Sequence, residues 1–144
     1  MQKRKQGNAL KKPVRVIFDS SFLFIPSQFK IDIFEELAKV LNRRFEPAIL
    51  SSTYQELQKI AKGRSTKLQR QAAFALKLTQ KCRQIKVEKD SDESYDDVIV
   101  RGASELGYSV ATNDKALRKK LRRKNVAVIY LRQKSHLAVD GVIW

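Results

Sequence analysis

Residues 108–114, YSVATND, join a short apolar run to the start of a helical pattern. Tyr108 to Ala111 carries small and β-branched apolar residues, which is typical of a short buried strand. Asn113 and Asp114 end this strand, and a helical pattern begins at Lys115. A carboxylate therefore follows the carboxyl end of a strand. In an open α/β sheet, that edge is where ligands bind.

The same alternation of strand and helix extends outward from this stretch. Helical patterns with an apolar face separate the apolar runs, which predict strands at 14–18, 48–50, 85–87, 108–111 and 126–131. Such alternation favours right-handed crossovers and a parallel sheet covered by helices on both faces. We therefore expect one domain over 13–144, a three-layer α/β/α fold with a central, mostly parallel five-stranded sheet. Residues 1–12 are predicted to form a basic flexible arm, and Asp140-Gly141 is a turn signal for a small hairpin.

Size and composition indicate one packed domain without a membrane segment. The chain has 144 residues, of which 42% are hydrophobic, and no apolar run approaches the ~20 residues of a membrane span. The single cysteine, Cys82, excludes an internal disulfide and suits a cytoplasmic protein. One histidine and one cysteine also argue against a zinc site, so any metal ligands would be mostly carboxylate oxygens.

The net charge of +15 indicates a polyanionic partner, and a nucleic acid is the usual one. The charge is concentrated in two places, the N-terminal arm and the helical pattern that begins at Lys115. At about 100° per residue, Lys115, Arg118 and Arg122 share a helix face, and we expect them to contact phosphates. A solvated basic face remains the alternative. Tyr95 can stack on a base or belong to the core or the rim.

Acidic residues follow each of the first four predicted strands. Asp19 comes directly after the first strand, and Asp114 comes three residues after the fourth. Glu56 lies in the predicted first turn of the helix after the second strand, and Asp96 and Asp97 open the helix after the third. Because parallel strands end at one edge, we expect these acids to converge there. Like charges held together need a cation, and Mg²⁺ or Mn²⁺ accepts such oxygen ligands.

Most of these acids also have a purely structural interpretation. Thr53 to Glu56 and Ser94 to Asp97 have the spacing of a capping box. Asp114 is an acceptable N-cap for the helix that follows it. Asp19 lacks such an explanation because it follows a buried strand directly.

Four segments together resemble the PIN-domain nucleases in order and spacing, from about residue 13 to 131. They are VIFDSS, the acid in TYQEL, SYDDVIVRGASELG and VATNDKALRKKL. The chain is similar above all to small stand-alone archaeal PIN proteins and to the eukaryotic PIN nuclease of small-subunit pre-rRNA processing. The resemblance implies a PIN-like fold and a metal-dependent phosphodiesterase that acts on RNA.

The resemblance also implies roles for individual residues. Catalytic and metal-binding roles fall to Asp19, Glu56, Asp96 and Asp114, with one or two Mg²⁺ or Mn²⁺ ions. Asp97 would assist or cap the helix, and the residues that orient the acids would be Ser20, Thr112 and Asn113. The family commonly has Thr-Asn after the first acid, where this chain has Ser20-Ser21.

Three functions are compatible with this pattern. The first is an endoribonuclease of ribosomal RNA processing, with structured ribosomal RNA as its partner. The second is a VapC-like toxin ribonuclease that cleaves tRNA or mRNA. The third is a non-catalytic PIN-fold RNA-binding protein of ribosome assembly. The resemblance also makes a homodimer possible.

Overall fold

The computed structural model describes residues 12–144, so the predicted basic arm lies, apart from Lys12, outside the described residues. The strands are β1 (Val14–Phe18), β2 (Phe45–Leu50), β3 (Arg83–Ile85), β4 (Ser109–Ala111), β5 (Val128–Arg132) and β6 (His136–Asp140). The α-helices are α1 (Ser20–Leu23), α2 (Ile25–Phe29), α3 (Ile33–Leu41), α4 (Ser51–Ala61), α5 (Thr66–Leu78), α6 (Tyr95–Leu106) and α7 (Lys115–Arg123). A 3₁₀ turn, Thr79–Lys81, follows α5.

The strands form one sheet in the order β3-β2-β1-β4-β5-β6. All neighbours are parallel except β5 and β6, which are antiparallel. The predicted α/β fold with a mostly parallel sheet is confirmed, but the predicted number of five strands is wrong. The sixth strand, β6, was missed because the segment after residue 131 is largely polar and lacks a clear alternation.

Two strand boundaries also differ from the prediction. β2 begins at Phe45 rather than at residue 48, and β3 covers Arg83–Ile85 rather than 85–87. β3 is an edge strand with two exposed residues, Arg83 and Gln84. Edge strands tolerate charged residues, so an apolar run does not mark where this strand starts.

The β5–β6 hairpin turns at Gln133 and Lys134 and not at the predicted signal, Asp140-Gly141. Both turn residues are left-handed, with φ of 55° and 56°. The Ser135 amide donates to the Arg132 carbonyl at 3.2 Å and closes the turn. Turns of this kind favour Asn-Gly, and other residues cost about 1 kcal/mol at each left-handed position. The sequence therefore carries no local signal for this turn.

The apolar core lies on both faces of the sheet, as the three-layer prediction requires. Val16 and Phe18 of β1 point to one face, where they pack with Phe22 and Leu57. Ile17 points to the other face and belongs to a second cluster, which includes Leu50, Val98, Ile99, Val110, Leu117 and Leu121. A central parallel strand that is buried on both faces reads as a continuous apolar run, which explains why β1 was recognised.

The parallel register places the ends of β1 and β4 side by side. Phe18 pairs with Ala111, so Asp19 and Thr112 leave the sheet at the same level. The helices α4, α6 and α7 also begin at this edge, because each follows a parallel strand and its loop. No helix in the described range, 12–144, is long and apolar enough to cross a membrane.

Candidate functional site

Asp19 is the most buried of the predicted acids, with 5% of its surface exposed. Its amide donates to the Ala111 carbonyl at 3.0 Å, which fixes it against β4. Its Oδ2 accepts hydrogen bonds from Ser21 Oγ at 2.6 Å and from Thr112 Oγ1 at 2.8 Å. Burial raises the pKa of Asp19, although the two hydroxyl groups partly counteract this effect.

Ser21 connects the loops that follow β1 and β4, and sequence reasoning missed it. Besides donating to Asp19, its Oγ accepts from the Asn113 amide at 2.9 Å and lies 3.1 Å from Thr112 Oγ1. Thr112 Oγ1 in turn accepts from the Asp114 amide at 3.0 Å. Ser21 occupies the position where the PIN-domain pattern has an asparagine. This correspondence was the sequence feature that could have indicated its role in orienting Asp19. The predicted orienting residues Thr112 and Asn113 do belong to this network.

Glu56 lies in the second turn of α4 and not in the first turn as predicted, because the helix begins at Ser51, the first residue of the predicted start, Ser51 to Thr53. The predicted capping box is wrong: Thr53 Oγ1 is buried and has no hydrogen-bond partner among the described residues. Burial raises the pKa of Glu56, a hydrogen bond from Ser20 lowers it, and repulsion from Asp19 and Asp96 raises it further. Ser20, which was predicted to orient an acid, therefore donates a hydrogen bond to Glu56.

Asp96 and Asp97 are adjacent in sequence but have different surroundings. Ser94 is the N-cap of α6, because its Oγ accepts from the Asp97 amide at 3.0 Å. The exposed Asp97 carboxylate pairs with Lys120 Nζ at 3.3 Å. Burial raises the pKa of the partly buried Asp96, and repulsion from Asp19 and Asp114 adds to this effect. Asp96, rather than Asp97, therefore interacts with the other acids of the sheet edge.

Asp114 is the N-cap of α7, as the structural interpretation of this residue predicted. Its Oδ1 accepts hydrogen bonds from the amides of Ala116 at 2.8 Å and Leu117 at 3.2 Å. These bonds satisfy donors of the first helical turn. Capping and proximity to Asp19 are compatible, since the cap uses Oδ1.

Lys120 offsets part of the charge of the four acids, since it lowers the pKa of Asp96, but it forms its ion pair with Asp97. No lysine or arginine of residues 12–144 forms an ion pair with Asp19, Glu56, Asp96 or Asp114. Repulsion among these acids contributes to the raised pKa of Asp19, Glu56 and Asp96. A bound cation would relieve this repulsion.

The side chains supply the donor atoms that magnesium prefers without forming a closed cage. Within the described range, no group of three or more His, Cys, Asp or Glu side chains is placed to hold a metal ion. Mg²⁺ keeps several of its waters and is usually held by one or two carboxylates. The carboxylate oxygens therefore fit Mg²⁺ or Mn²⁺ in donor type.

The basic residues predicted to contact phosphates differ in their surroundings. Lys115 is exposed in the first turn of α7. Arg118 Nε donates to Asp140 Oδ2 at 2.9 Å, and Arg122 Nε lies 3.2 Å from Asp140 Oδ1. The Arg118 guanidinium also lies 3.5 Å from the centre of the Tyr130 ring. The two arginines therefore attach α7 to β6, and Lys115 is the free cation nearest the acids in sequence.

Tyr95 begins α6 immediately before Asp96 and is only partly buried. Its hydroxyl accepts from Lys59 Nζ at 3.1 Å. The ammonium groups of Lys59 and Lys89 lie 5.8 Å and 5.4 Å from its ring centre. These contacts place Tyr95 at the rim of the sheet edge, among positive charges.

Comparisons with known proteins found a matching family and similar sequences. A family model described as "PIN like domain" matches residues 16–134. Ribonuclease VapC4 of Methanocaldococcus jannaschii is 32% identical over 130 residues, which cover 90% of this chain and 98% of the relative. The rRNA-processing protein fcf1 of Schizosaccharomyces pombe is 27% identical over 81% of this chain and 58% of its own length.

A solved structure shows the same similarity in three dimensions. The structure of the PIN domain endonuclease Utp24 superposes with a TM-score of 0.72 and 28% sequence identity. The match covers 91% of this chain and 94% of that one.

Proposed function

Because the chain belongs to the PIN-like domain family, whose members include named ribonucleases, we propose that it is a divalent-metal-dependent endoribonuclease that hydrolyses RNA phosphodiester bonds. The observation that carries this proposal is the acidic sheet edge. There, Asp19 has 5% of its surface exposed and is repelled by Asp114, and none of the ion pairs seen among residues 12–144 involves either acid. A protein gains nothing in stability from such repulsion, so the arrangement is explained by binding.

The acids would bind the metal ion in the proposed reaction. Asp19 and Asp96 would hold the metal ion, with Glu56 and Asp114 beside them. When bound, Mg²⁺ or Mn²⁺ would supply Lewis-acid activation of water and stabilise charge on the phosphate. Ser21 and Thr112 fix Asp19 Oδ2, so that the carboxylate keeps its orientation without the asparagine common in the family. Orienting contacts of this kind typically change metal affinity or activity by about 10- to 100-fold.

The excess positive charge brings RNA to this acidic edge. An acidic floor alone repels a polyanion, and the net charge of +15 supplies the opposing long-range attraction. Lys115 directly follows Asp114, and Lys59 and Lys89 lie around Tyr95, the residue before Asp96. Arg118 and Arg122 contribute through the same field, although Asp140 neutralises part of their charge.

Processing of structured ribosomal RNA is the role we favour. Its support is the similarity to a protein named for rRNA processing, of which this chain covers 58%. The similarity to the PIN domain endonuclease Utp24, of which 94% is covered, supports the endonuclease activity. A VapC-like toxin that cleaves tRNA or mRNA is the second candidate, because the similarity to VapC4 covers 98% of that ribonuclease. A small antitoxin gene beside this one would favour the toxin. Faster cleavage of a pre-rRNA fragment than of tRNA would favour rRNA processing.

The test is cleavage of structured RNA with Mn²⁺ or Mg²⁺ by wild type and three single variants. Asp19→Asn and Asp96→Asn should lose cleavage by 100-fold or more, on the order of the effect of removing one essential electrostatic group. Asp97→Asn is the matched control, because its carboxylate is exposed and pairs with Lys120, and it should cleave normally. Equal cleavage by all four proteins contradicts the assignment. Binding of RNA without cleavage under any metal would favour the non-catalytic RNA-binding function.

A further inference from the structure

A groove of about 190 Å³ lies beside the acids, between the start of α7 and the β5–β6 hairpin. Asp114 and Lys115 line it on the helix side, Arg118 and Tyr130 line it in the middle, and Arg132 and Gln133 line it on the hairpin side. Because Asp114 belongs to this lining, the groove is continuous with the acidic sheet edge. Ligand pockets usually measure about 300–1,000 Å³, so this groove is smaller than an enclosed small-molecule site and leaves no room for a duplex.

The hairpin forms a wall that rises above the acids. Ile129 of β5 pairs with Ala111, the last residue of β4. β5 then continues for three more residues, to Arg132, before the chain turns. At about 3.3 Å per residue, the hairpin extends about 10 Å past the end of β4. Its tip, Arg132 to His136, is exposed and carries two cations, Arg132 and Lys134.

The groove is positively charged and its middle is held in place. Its lining contains one carboxylate, Asp114, and three cations, Lys115, Arg118 and Arg132. Arg118 is fixed by Asp140 at 2.9 Å and by the Tyr130 ring at 3.5 Å. The hydrogen bond to Asp140 uses Nε, so the Nη groups of Arg118 remain donors. A fixed guanidinium with free Nη groups suits recognition of phosphate.

The hairpin tip keeps a lysine where the backbone favours glycine. Lys134 has φ of 56°, and Gln133 before it has φ of 55°. Non-glycine residues in this conformation are strained, and such strain is concentrated at sites that contact ligands. Lys30, outside the groove, has the same conformation, so the position of the Lys134 charge on the exposed hairpin tip, rather than its strain, supports a role in binding.

From these observations we propose that this groove and the hairpin tip beside it guide a single strand of RNA to or from the acidic edge. Phosphates would contact Lys115 and Arg132 in the groove and Lys134 at the tip. The proposal rests on RNA as the ligand in the proposed function. It adds the hairpin, which none of the acidic motifs includes, to the substrate-binding surface. Arg118, which Tyr130 and Asp140 hold in the middle of the groove, would offer its Nη groups to the RNA phosphates.

The test measures binding without cleavage. Fluorescein-labelled oligouridine of about ten nucleotides is titrated with protein in EDTA, and fluorescence anisotropy gives Kd at several salt concentrations. Arg132→Ala and Lys134→Gly should each weaken binding about three- to fivefold, as expected for loss of one exposed ionic contact. Each should also reduce the slope of log Kd against log salt by about 0.7.

Lys30→Gly is the matched control for Lys134→Gly. Lys30 is an exposed lysine with φ of 56°, at the end of α2 and outside the groove. Both glycine variants relieve left-handed strain and should melt no lower than wild type, so a loss of binding in Lys134→Gly alone is not a loss of folding. A blunt RNA duplex of the same length should be insensitive to both hairpin variants.

Several results would overturn the proposal. They are an unchanged Kd and salt slope in both hairpin variants, an equal loss in Lys30→Gly, an equal loss with the duplex, or no binding by wild type. The outcome is separable from that of the nuclease proposal. If wild type cleaves RNA while the hairpin variants bind RNA normally, only the groove proposal is refuted. If wild type never cleaves RNA and the hairpin variants bind RNA more weakly, the nuclease proposal is refuted and the groove proposal is supported.

Discussion

Ser21→Ala removes the hydroxyl that joins the two loops of the acidic edge. The Ser21 Oγ donates to Asp19 Oδ2 at 2.6 Å and accepts from the Asn113 amide at 2.9 Å. The substitution deletes both bonds, while Thr112 still donates to Asp19 at 2.8 Å. The carboxylate therefore keeps one of its two hydroxyl donors and is held less firmly.

The expected loss of stability can be worked out from these contacts. A hydrogen bond to a charged acceptor contributes about 1.5–3 kcal/mol, and an unsatisfied amide costs about 1–3 kcal/mol when fully buried. Ser21 is only partly buried, so water can reach the Asn113 amide and most of the second cost disappears. We expect the free energy of unfolding to fall by about 2 kcal/mol at neutral pH.

The loss should depend on pH with a defined sign. The pKa of Asp19 is raised in the folded protein, so ionised Asp19 destabilises the fold at neutral pH. As the pH falls through the raised pKa towards 3.8, folded Asp19 takes up a proton and this penalty disappears. A hydrogen bond between neutral groups contributes about 1 kcal/mol, so the difference between Ser21→Ala and wild type should shrink on acidification.

Urea unfolding followed by circular dichroism, at neutral and at mildly acidic pH, measures both quantities. Ser21→Thr keeps a hydroxyl and is the matched control, which should lose less than half as much stability as Ser21→Ala. In cleavage assays, Ser21→Ala should lose about 10- to 100-fold. An alanine variant as stable as wild type at neutral pH, or one whose loss grows on acidification, would refute the role given to Ser21.

Three further predictions concern structure outside the acidic edge. Asp140→Asn removes ion pairs to Arg118 and Arg122, whose side chains are about one-third exposed, so urea unfolding should show a loss of stability of about 1–2 kcal/mol. The loss should shrink in 1 M salt, where the Debye length is about 3 Å and the ion pairs are screened. A loss unaffected by salt would mean that the pairing is not ionic. Gly107→Ala places a side chain at φ of 71°, where nothing lies within 4 Å of the new Cβ. The loss of stability should therefore come from the backbone conformation alone and be about 1 kcal/mol. An unchanged melting temperature would contradict this prediction. The Arg101 guanidinium, whose Nε lies 2.9 Å from Glu93, lowers the pKa of Glu93 to about 2. The stabilisation from this pair should therefore be complete above pH 4.5 and be lost as the pH falls towards 2. An NMR titration that finds a pKa of the Glu93 carboxyl near 4.5 would show that the pair does not form in solution.

The sequence was sufficient for those features that depend on local patterns. The continuous apolar run of β1 and the strand–helix alternation predicted the parallel sheet, and the parallel sheet placed Asp19 and Asp114 at one edge. Asp114 could be recognised as an N-cap for the same reason, since capping depends on its immediate neighbours.

Other features depend on contacts between distant residues, and local patterns do not determine them. The helical face of Lys115, Arg118 and Arg122 was a sound inference about α7. It could not show that Asp140, on a strand the sequence did not reveal, would bind both arginines. The β5–β6 turn escaped prediction because it has no glycine.

Ser21 escaped for a related reason. Sequence reasoning gave the orienting role after the first acid to Ser20, the adjacent residue. The geometry of α1 instead directs Ser20 to Glu56 and Ser21 to Asp19. Which of two neighbouring hydroxyls faces which acid depends on how α1 leaves β1, and that direction is set by packing of Phe22 into the core.

Binding of Mn²⁺ in the absence of RNA tests the central claim most directly. Isothermal titration calorimetry compares wild type with Asp19→Asn, Asp96→Asn and the control Asp97→Asn, all at neutral pH. The acidic edge described above predicts that wild type and Asp97→Asn bind Mn²⁺ alike, and that each of the other two variants binds at least about tenfold more weakly. Equal affinity in all four proteins, or no binding by wild type, would contradict it.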